Sequence, residues 1–200
     1  MNENLLIIFA RNPEKGKVKT RLAKDLGDEK ALAVYKQLLL HTLQVAEQVP
    51  TADKAVYYAE LPKPAANHTK QPYHTFTQKG QDLGERMHAA FVAAFEAGYK
   101  QVVLIGSDCP ELAPAHLHTA FEQLRQHPVV IGPATDGGYY LIGTSEPLSE
   151  LFLNRTWSTD QVLQQTQQTL QALGKTAFLL PTLSDIDIAS DLAKFPQFKV

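Results

Sequence analysis

Apolar and polar positions follow two patterns along the chain: short continuous apolar runs, and longer stretches with an apolar residue every three or four positions. The runs of strand length are LLIIFA (5–10), KAVYYA (54–59), YHTFT (73–77), QVVLIG (101–106), PVVIG (128–132), YYLIG (139–143) and KTAFLL (175–180). Several are apolar at every position, which is typical of strands buried on both faces of a sheet. We therefore predict seven strands, with most of them inside a covered sheet.

Helical periodicity fills the stretches between these runs. Apolar stripes extend from Leu32 to Ala46, from Leu83 to Phe95, from Leu117 to Leu124 and from Val162 to Leu173. Ser158-Thr159-Asp160-Gln161 adds an N-cap signal for the last helix. Strands that alternate with helices predict an α/β fold with a mostly parallel central sheet and helices on both sides. In such sheets ligands bind beyond the carboxyl ends of the strands, so the residues that follow each strand are the candidates for function.

Length and composition narrow the class of protein. The 200 residues are enough for one domain over residues 1–200, and the proline-rich stretch 60–72 is predicted to be a surface loop within it. A net charge of −2 disfavours nucleic-acid binding, and no apolar stretch approaches the ~20 residues of a membrane span. The first apolar run is too short for a signal peptide. Because Cys109 is the single cysteine, no internal disulfide forms, and we expect a cytoplasmic protein.

A cationic loop follows the first predicted strand. Its basic residues are Arg11, Lys15, Lys17, Lys19 and Arg21, and with Glu14 they leave a loop charge of +4. Lys and Arg side chains at this edge of the sheet favour a site for the phosphates of a nucleotide, and a solvated loop is the alternative. The sequence excludes a P-loop, because Val18 follows Gly16-Lys17 where Ser or Thr is required, and the single glycine excludes a dinucleotide fingerprint.

Aspartates follow three of the later strands. Asp108 follows the run 101–106, Asp136 precedes two glycines between the fifth and sixth runs, and Asp185 and Asp187 follow the last run. An aspartate at a strand end can bind a divalent cation that bridges phosphates, although turn formation is the alternative for Asp108. Asp185 and Asp187 point the same way in extended backbone, where a cation would relieve their repulsion. An acidic cap for a helix over 189–194 is the alternative.

Three further features each have a functional and a purely structural interpretation. Asp136-Gly137-Gly138 predicts either a plain hairpin turn or a turn whose glycines let backbone approach a ligand, with Asp136 aimed at it. The stretch GQDLGERM (80–87) predicts a helix start that favours an anion, or an ordinary loop-to-helix junction. Trp157 offers a ring that can stack on a sugar or base, or that packs in the core.

Six motifs in order resemble a known bacterial family. They are FARNPEKGKVKTRLAKDLG, GQDLGERM, GSDCPEL, GPATDGGYYLIG, WSTDQVL and LSDIDIASDL, and they extend over about residues 4–195. The chain is similar to the nucleotide-diphospho-sugar transferase-like family, some of whose members are named arsenosugar-biosynthesis glycosyltransferases. It also resembles 2-phospholactate guanylyltransferase and, more distantly, molybdenum-cofactor nucleotidyltransferases. The resemblance implies a GT-A-type, Rossmann-like αβα sandwich.

The same resemblance assigns roles to individual residues. It implies nucleotide contacts for Arg11, Lys15, Lys19, Arg21, Gly84 and Arg86. It places Asp108 at the position of the metal-binding aspartate, with Asp185 and Asp187 on the Asp-x-Asp that joins it in holding Mg²⁺ (or Mn²⁺) in the guanylyltransferase relatives. Cys109 after Asp108 departs from the Asp-x-Asp of many sugar transferases and leaves the number of metal ions and the donor open.

The predicted function is a Mg²⁺-dependent glycosyltransferase that uses a nucleotide-sugar donor and a small-molecule acceptor. Asp136 is the candidate base for the acceptor hydroxyl. The first alternative is a nucleotidyltransferase that moves a nucleoside monophosphate from a nucleoside triphosphate to a small phosphorylated acceptor and releases pyrophosphate. The cationic loop favours this alternative, because it suits a pyrophosphate leaving group. The second alternative is a nucleotide-binding module without catalysis.

Overall fold

A computed structural model describes residues 2–60, 73–198 and 200. The loop predicted over residues 60–72 lies outside the described residues from 61 onward. The strands are β1 (Asn4–Ala10), β2 (Asp53–Tyr58), β3 (His74–Thr77), β4 (Gln101–Ile105), β5 (Val129–Pro133), β6 (Tyr139–Thr144) and β7 (Ala177–Leu179). The helices are α1 (Thr20–Leu26), α2 (Asp28–Glu47), α3 (Leu83–Glu96), α4 (Pro114–Gln123), α5 (Val162–Ala172) and α6 (Ala189–Lys194). Single 3₁₀ turns cover Ser149–Leu151 and Pro196–Phe198.

The described strands form one sheet in the order β3-β2-β1-β4-β6-β5-β7. The pairs β1–β2, β1–β4, β2–β3 and β5–β7 are parallel, whereas β6 is antiparallel to β4 and β5. The mostly parallel α/β sheet predicted from the sequence is therefore confirmed, with one reversed strand. As a result the carboxyl ends of β1 to β5 share one edge with the β5–β6 turn.

Both faces of the sheet are covered, as the apolar runs predict. The side chains of β1 alternate between two core layers: Leu6 and Ile8 lie in one, and Leu5 and Ile7 lie in the other. One layer packs beneath α2 and α4, and the other beneath α3 and α5. A third cluster joins α1, α2 and α6 through Leu22, Leu38, Ile186 and Leu192. This cluster holds the segments after β1 and β7 against each other.

Two local features differ from the predictions. The sequence pattern does not predict α1, because this seven-residue helix has one fully buried side chain, Leu22, and lies within the cationic stretch. The N-cap signal at 158–161 does not act as predicted. The α5 N-cap residue is Gln161, without a side-chain cap, and the Leu163 N–H donates instead to the Gly137 carbonyl (2.9 Å).

Among the described helices, none is long and apolar enough to cross a bilayer. The domain boundaries 1–200 stay a prediction.

Candidate active site

A cleft of about 1070 Å³ opens at the carboxyl edge of the sheet. Its walls come from residues that directly follow β1, β2, β3 and β4, from the β5–β6 turn, and from the segments 157–160 and 183–187. This is where an α/β sheet places its ligand site. The location predicted for the functional residues is therefore the location of the cleft.

Tyr35 fixes the beginning of the cationic loop. Its hydroxyl accepts from the Arg11 N–H (2.8 Å), donates to the Arg11 carbonyl (2.9 Å) and lies 3.2 Å from Ser107 Oγ. Burial raises the pKa of Tyr35 to about 12, so the hydroxyl stays protonated at neutral pH. The loop after β1 is thereby fastened to the loop after β4, on which Asp108 lies.

Lys19 reaches across the cleft to the predicted metal-binding aspartate. Its Nζ lies 3.0 Å from Asp108 Oδ2, and its side chain is 6% exposed, although that of Asp108 is 45% exposed. The Lys19 backbone is left-handed (φ 46°, ψ 47°) at the N-cap of α1. A residue other than glycine occupies this conformation at a cost of roughly 1 kcal/mol, so the surrounding contacts hold it there.

The other cations of the loop divide between the cleft and the outer surface. Arg21 lines the cleft, and its Nη1 lies 2.8 Å from Asp187 Oδ2. Lys17 also lines the cleft and pairs with Glu14 at 2.8 Å. Lys15 is not among the residues that line the cleft, and its Nζ lies 2.6 Å from Glu29 Oε1 on α2. The structure therefore brings Arg11, Lys19 and Arg21 to the cleft but not Lys15.

Three contacts hold the segment after β7 beside Asp108. The Ile186 N–H donates to the Asp108 carbonyl (3.3 Å), the Cys109 thiol donates to the Ser184 carbonyl (3.5 Å), and the Ser184 N–H donates to Glu111 (2.7 Å). Burial raises the pKa of Cys109 to about 12, so the thiol stays protonated. Cys109 thus positions this segment and is a poor nucleophile.

Asp185 belongs to the acidic centre of the cleft. Burial, reinforced by the neighbouring negative charges of Asp108 and Asp136 and opposed by Lys19, raises the pKa of Asp185 to about 6. Asp187 is directed to Arg21 instead. The two aspartates therefore differ in their surroundings: Asp187 is ion-paired with Arg21, whereas Asp185 lies among the charges of Asp108, Lys19 and Asp136. The acidic residue that caps the N-terminus of α6 is Asp191 rather than Asp185 or Asp187. Its Oδ2 accepts from the N–H groups of Asp187 and Ile188.

Asp136 lies on the tight turn between β5 and β6. Its Oδ1 accepts from the Gly138 N–H (2.9 Å), and Gly137 has φ +88°. A Cβ on Gly137 would lie 2.1 Å from the Asp160 carbonyl oxygen, so the turn packs backbone to backbone against the segment before α5. The predicted turn is confirmed, and the exposed carboxylate of Asp136 lines the cleft.

The N-terminus of α3 forms another part of the wall. Asp82 caps it by accepting from the Glu85 N–H (2.8 Å), and Glu85 accepts from the Gln81 N–H (2.7 Å). Arg86 lines the cleft, with its Nε anchored to the Gly80 carbonyl (3.0 Å). Gly84 is buried and does not line the cleft. A Cβ there would lie 2.1 Å from the Phe152 carbonyl oxygen and 2.2 Å from Trp157 Nε1, so packing requires this glycine.

Trp157 has the packing role, and its stacking on a sugar or base stays a prediction. It lines the cleft and also packs edge-on against Tyr139, with ring centroids 6.2 Å apart. The Arg155 guanidinium lies 5.9 Å from the Trp157 ring and donates to Thr166 and Thr169 of α5. These contacts hold an aromatic surface at the rim of the cleft.

Acidic side chains outnumber basic ones in the cleft. The basic residues are Arg11, Lys17, Lys19, Arg21 and Arg86, and the acidic residues are Glu14, Glu60, Asp82, Asp108, Asp136, Asp160, Asp185 and Asp187. A polyphosphate would meet net negative charge here, so a divalent cation that screens Asp108 and Asp185 would assist its binding.

The donor chemistry of Asp108 and Asp185 fits Mg²⁺ or Mn²⁺. Both cations accept carboxylate oxygens, and Mg²⁺ is commonly held by one or two carboxylates together with phosphate and water. Within residues 2–60, 73–198 and 200, no group of three His, Cys, Asp or Glu side chains is placed to hold a metal ion. The predicted set of Asp108, Asp185 and Asp187 is therefore not assembled, since Asp187 faces Arg21.

Comparison with known proteins places the chain in a family. Residues 42–159 match the family described as "Uncharacterized protein conserved in bacteria (DUF2064)". A structure from Desulfovibrio desulfuricans G20, provisionally named as a nucleotide-diphospho-sugar transferase, shares 35% identity over 94% of this chain and 84% of that one, with a TM-score of 0.85. This chain belongs to the DUF2064 family. The resemblance inferred from the six motifs is thereby confirmed.

Two more distant structures share the fold of this DUF2064 protein. A 4-diphosphocytidyl-2C-methyl-D-erythritol synthase aligns with a TM-score of 0.63 and 12% identity over 99% of this chain and 98% of that one. Rv0371C from Mycobacterium tuberculosis H37Rv, in complex with manganese, aligns with a TM-score of 0.58 and 15% identity over 97% of both chains. No protein of curated function matches the chain. The prediction of a glycosyltransferase or nucleotidyltransferase agrees with the transferase relatives.

The sequence patterns did not predict a role in the DUF2064 site for three residues that shape the cleft. Tyr35 and Ser107 join two walls of the cleft, but Tyr35 occupies an ordinary position in an apolar helical stripe. Gln78 donates through Nε2 to the carbonyls of Ala10 (3.2 Å) and Tyr57 (2.9 Å), which fixes the ends of β1 and β2. Because Gln78 directly follows β3, its position at a strand end would have predicted a place at the cleft.

Proposed function

We propose that the protein is a divalent-cation-dependent transferase that binds a nucleoside diphosphate sugar and transfers the sugar to a small acceptor. The observation that carries this proposal is the convergence of Lys19, Asp108, Asp185 and Asp136 at the carboxyl edge of the sheet. This arrangement combines cations for phosphates, carboxylates for a metal ion and an exposed carboxylate for an acceptor. The family relationship to the Desulfovibrio protein supports the same class.

The phosphates would lie between the loop after β1 and the N-terminus of α3. Arg11, Lys19 and Arg21 approach from one side, and Arg86 lies on the wall formed by α3. A guanidinium offers a planar fork of donors to phosphate oxygens, and an ammonium offers a mobile charge. A leaving nucleoside diphosphate gains negative charge as its bond to the sugar breaks, so these cations stabilise the transition state.

Asp108 and Asp185 would hold the cation that accompanies the phosphates. Bound Mg²⁺ or Mn²⁺ would neutralise charge on the leaving phosphate. Hydrogen bonds between residues 108–111 and residues 184–186 would hold the two carboxylates in place for the cation. Tyr35 then aligns this acidic pair with the cationic loop, and positioning of this kind supplies much of the rate in group transfer.

Asp136 would accept the proton of the acceptor hydroxyl. The hydrogen bond from the Gly138 N–H orients its carboxylate, while its exposed side leaves room for a substrate. The half-buried aromatic surface of Trp157 is available for a sugar or base at the same rim.

A second candidate is nucleotidyl transfer from a nucleoside triphosphate, with release of pyrophosphate. The cationic loop favours it, because four of its basic residues line the cleft, with Lys19 beside Asp108 and Arg21 beside Asp187, and they suit a leaving group of high charge. The shared fold with 4-diphosphocytidyl-2C-methyl-D-erythritol synthase is compatible with either reaction.

Product analysis tests the proposal. The protein is incubated with Mg²⁺ or Mn²⁺ and with panels of nucleotide sugars and nucleoside triphosphates, together with small hydroxylated and phosphorylated acceptors. Release of a nucleoside diphosphate supports glycosyl transfer. Release of pyrophosphate without nucleoside diphosphate supports the second candidate instead. Metal-independent nucleotide binding without turnover would support the non-catalytic nucleotide-binding module instead. Asp108→Asn is the matched control, since it should lack metal-dependent activity.

A further inference from the structure

The ion pair between Lys19 and Asp108 has unusual properties for a pair at the mouth of a cleft. Lys19 Nζ lies 3.0 Å from Asp108 Oδ2. The lysine side chain is almost fully covered, whereas the aspartate is nearly half exposed. Because the Asp108 carboxylate is nearly half exposed, solvent screens the attraction within the pair, and the left-handed backbone at Lys19 disfavours the fold further. Stability alone is therefore a weak reason for this geometry.

Lys19 sits where positive charge is needed in the absence of ligand. Asp108 and Asp136 raise the pKa of Asp185, and Lys19 opposes them. The ammonium group thus screens the same carboxylates that would hold a metal ion. A lysine ammonium and a divalent cation cannot both contact the same face of Asp108, because their charges repel.

Lys19 also has an alternative partner. It lines the proposed phosphate site, and the lysine ammonium is a point charge on a four-carbon stem, which suits a phosphate oxygen. Transfer of its ammonium from Asp108 to a phosphate would free Asp108 when a nucleotide arrives. The arriving nucleotide would then remove the competitor of the metal ion.

We propose that Lys19 is a built-in counter-ion that blocks Asp108 against divalent cations until a phosphate ligand draws it away. This inference rests on the proposed function, because it takes Asp108 as a metal ligand. It makes metal binding conditional on nucleotide: the free protein binds the metal weakly, and metal and polyphosphate bind together.

The test measures Mn²⁺ binding by the free-ion electron paramagnetic resonance signal, with Mn²⁺ as the only ligand. Lys19→Met keeps the length of the side chain and removes its charge. We expect it to bind Mn²⁺ about tenfold more tightly than the natural protein, since a competing charge at contact distance is gone. Lys24→Met removes a charge from the exposed last turn of α1 and should leave the affinity unchanged. Lys19→Met combined with Asp108→Asn should lose the gain.

A second arm adds inorganic pyrophosphate at fixed Mn²⁺ and measures bound Mn²⁺ by water-proton relaxation. Pyrophosphate should promote binding of Mn²⁺ to the natural protein much more than to Lys19→Met. Unfolding temperatures of all variants verify that they fold.

Equal Mn²⁺ affinity of the natural protein and Lys19→Met, with a loss in Asp108→Asn, would reject the counter-ion role and leave the proposed metal site intact. Failure of every variant to bind Mn²⁺, with or without pyrophosphate, would reject both the counter-ion role and the proposed metal-dependent function.

Discussion

The Tyr35 hydroxyl both accepts a hydrogen bond from the Arg11 N–H and donates one to the Arg11 carbonyl. A single side-chain atom thus satisfies both backbone groups of the first residue of the cationic loop. Ser107 Oγ lies 3.2 Å away and extends the contact to the loop that bears Asp108. The two halves of the candidate active site therefore have a common anchor in the middle of α2.

Tyr35→Phe tests this anchor. Loss of the hydroxyl leaves buried polar groups unpaired, and we expect about 1–3 kcal/mol lower stability in urea unfolding. We also expect weaker nucleotide binding, because the loop after β1 loses its attachment. Tyr73→Phe is the matched control, since the Tyr73 hydroxyl donates to the Leu43 carbonyl outside the cleft. It should lose stability without losing nucleotide affinity. Equal loss of affinity in both variants would refute the anchoring role.

Arg21→Ala and Lys15→Ala separate the cleft side of the cationic loop from its outer side. Both residues are exposed and ion-paired, but Arg21 lines the cleft and Lys15 does not. Each replacement should change stability by less than about 1 kcal/mol. In calorimetric titration with nucleotides, Arg21→Ala should weaken binding about tenfold or more, since it removes a charged donor to phosphate. Lys15→Ala should bind as the natural protein does, and a large loss there would instead support the nucleotide contact predicted from the sequence.

Gly84→Ala tests whether packing explains the buried glycine of α3. The added methyl would overlap the Phe152 carbonyl and the Trp157 ring. We expect a destabilisation of roughly 1–3 kcal/mol, because one contact is with backbone and cannot turn away. Leu83→Ala, at a 42% exposed position on the same helix, should have a smaller effect in the same thermal unfolding assay. An unchanged melting temperature for Gly84→Ala would show that the helix can shift.

Asp185→Asn tests the electrostatic strain in the acidic centre. The pKa of Asp185 is raised from 3.8 to about 6, so the folded state holds this proton more tightly than the unfolded state does. The contribution of Asp185 to stability therefore falls as pH rises from about 4 to 6, and the loss persists above pH 6. Relative to the natural protein, Asp185→Asn should gain on the order of 2 kcal/mol at pH 7.5 and little at pH 4.

Denaturant unfolding over this pH range, without divalent cations, measures the difference. Asp25→Asn replaces an exposed aspartate of α1 and should give a difference that varies little with pH. A gain that is equal at pH 4 and pH 7.5 would contradict the raised pKa of Asp185.

Asp136→Asn separates chemistry from binding. Asparagine keeps the oxygen that accepts from the Gly138 N–H, so the turn and the stability should be preserved. Loss of the base should lower kcat by about 100-fold or more, with KM for the donor nearly unchanged. Glycosyl-transfer assays with the donor identified by product analysis supply both constants. Full activity of this variant would remove Asp136 from the proton transfer.

The strand and helix pattern was predictable because burial on two faces leaves a local signature. All seven apolar runs became strands, and all four apolar stripes became helices. The helix α1 was not predictable, because its seven residues are stabilised by the cluster with α2 and α6 rather than by a stripe of their own. The apolar run of β6 does not reveal its direction, since a strand buried on both faces is equally apolar either way, and the turn signal Asp136-Gly137-Gly138 before it was the one marker of the reversal.

The location of the candidate site was predictable from the strand ends, but the pairing of its charges was not. Asp185 and Asp187 looked like one metal-binding pair from their spacing, yet Asp187 pairs with Arg21, whereas Asp185 is buried among the charges of Asp108, Asp136 and Lys19. Gly84 looked like part of a nucleotide-contacting motif, and the structure gives it a packing role against Trp157.

The α/β sheet, its carboxyl edge and the charged residues near that edge follow from the amino-acid sequence, because they depend on periodicity and on chain order. The pairing of those charges follows from the packing of distant segments. Lys19 and Asp108 are 89 positions apart, and Arg21 and Asp187 are 166 positions apart. These ion pairs depend on the packing of α1, α2 and α6 and on the hydrogen bond between the Cys109 thiol and the Ser184 carbonyl. Both involve residues far apart in the chain, so a local sequence pattern does not predict them.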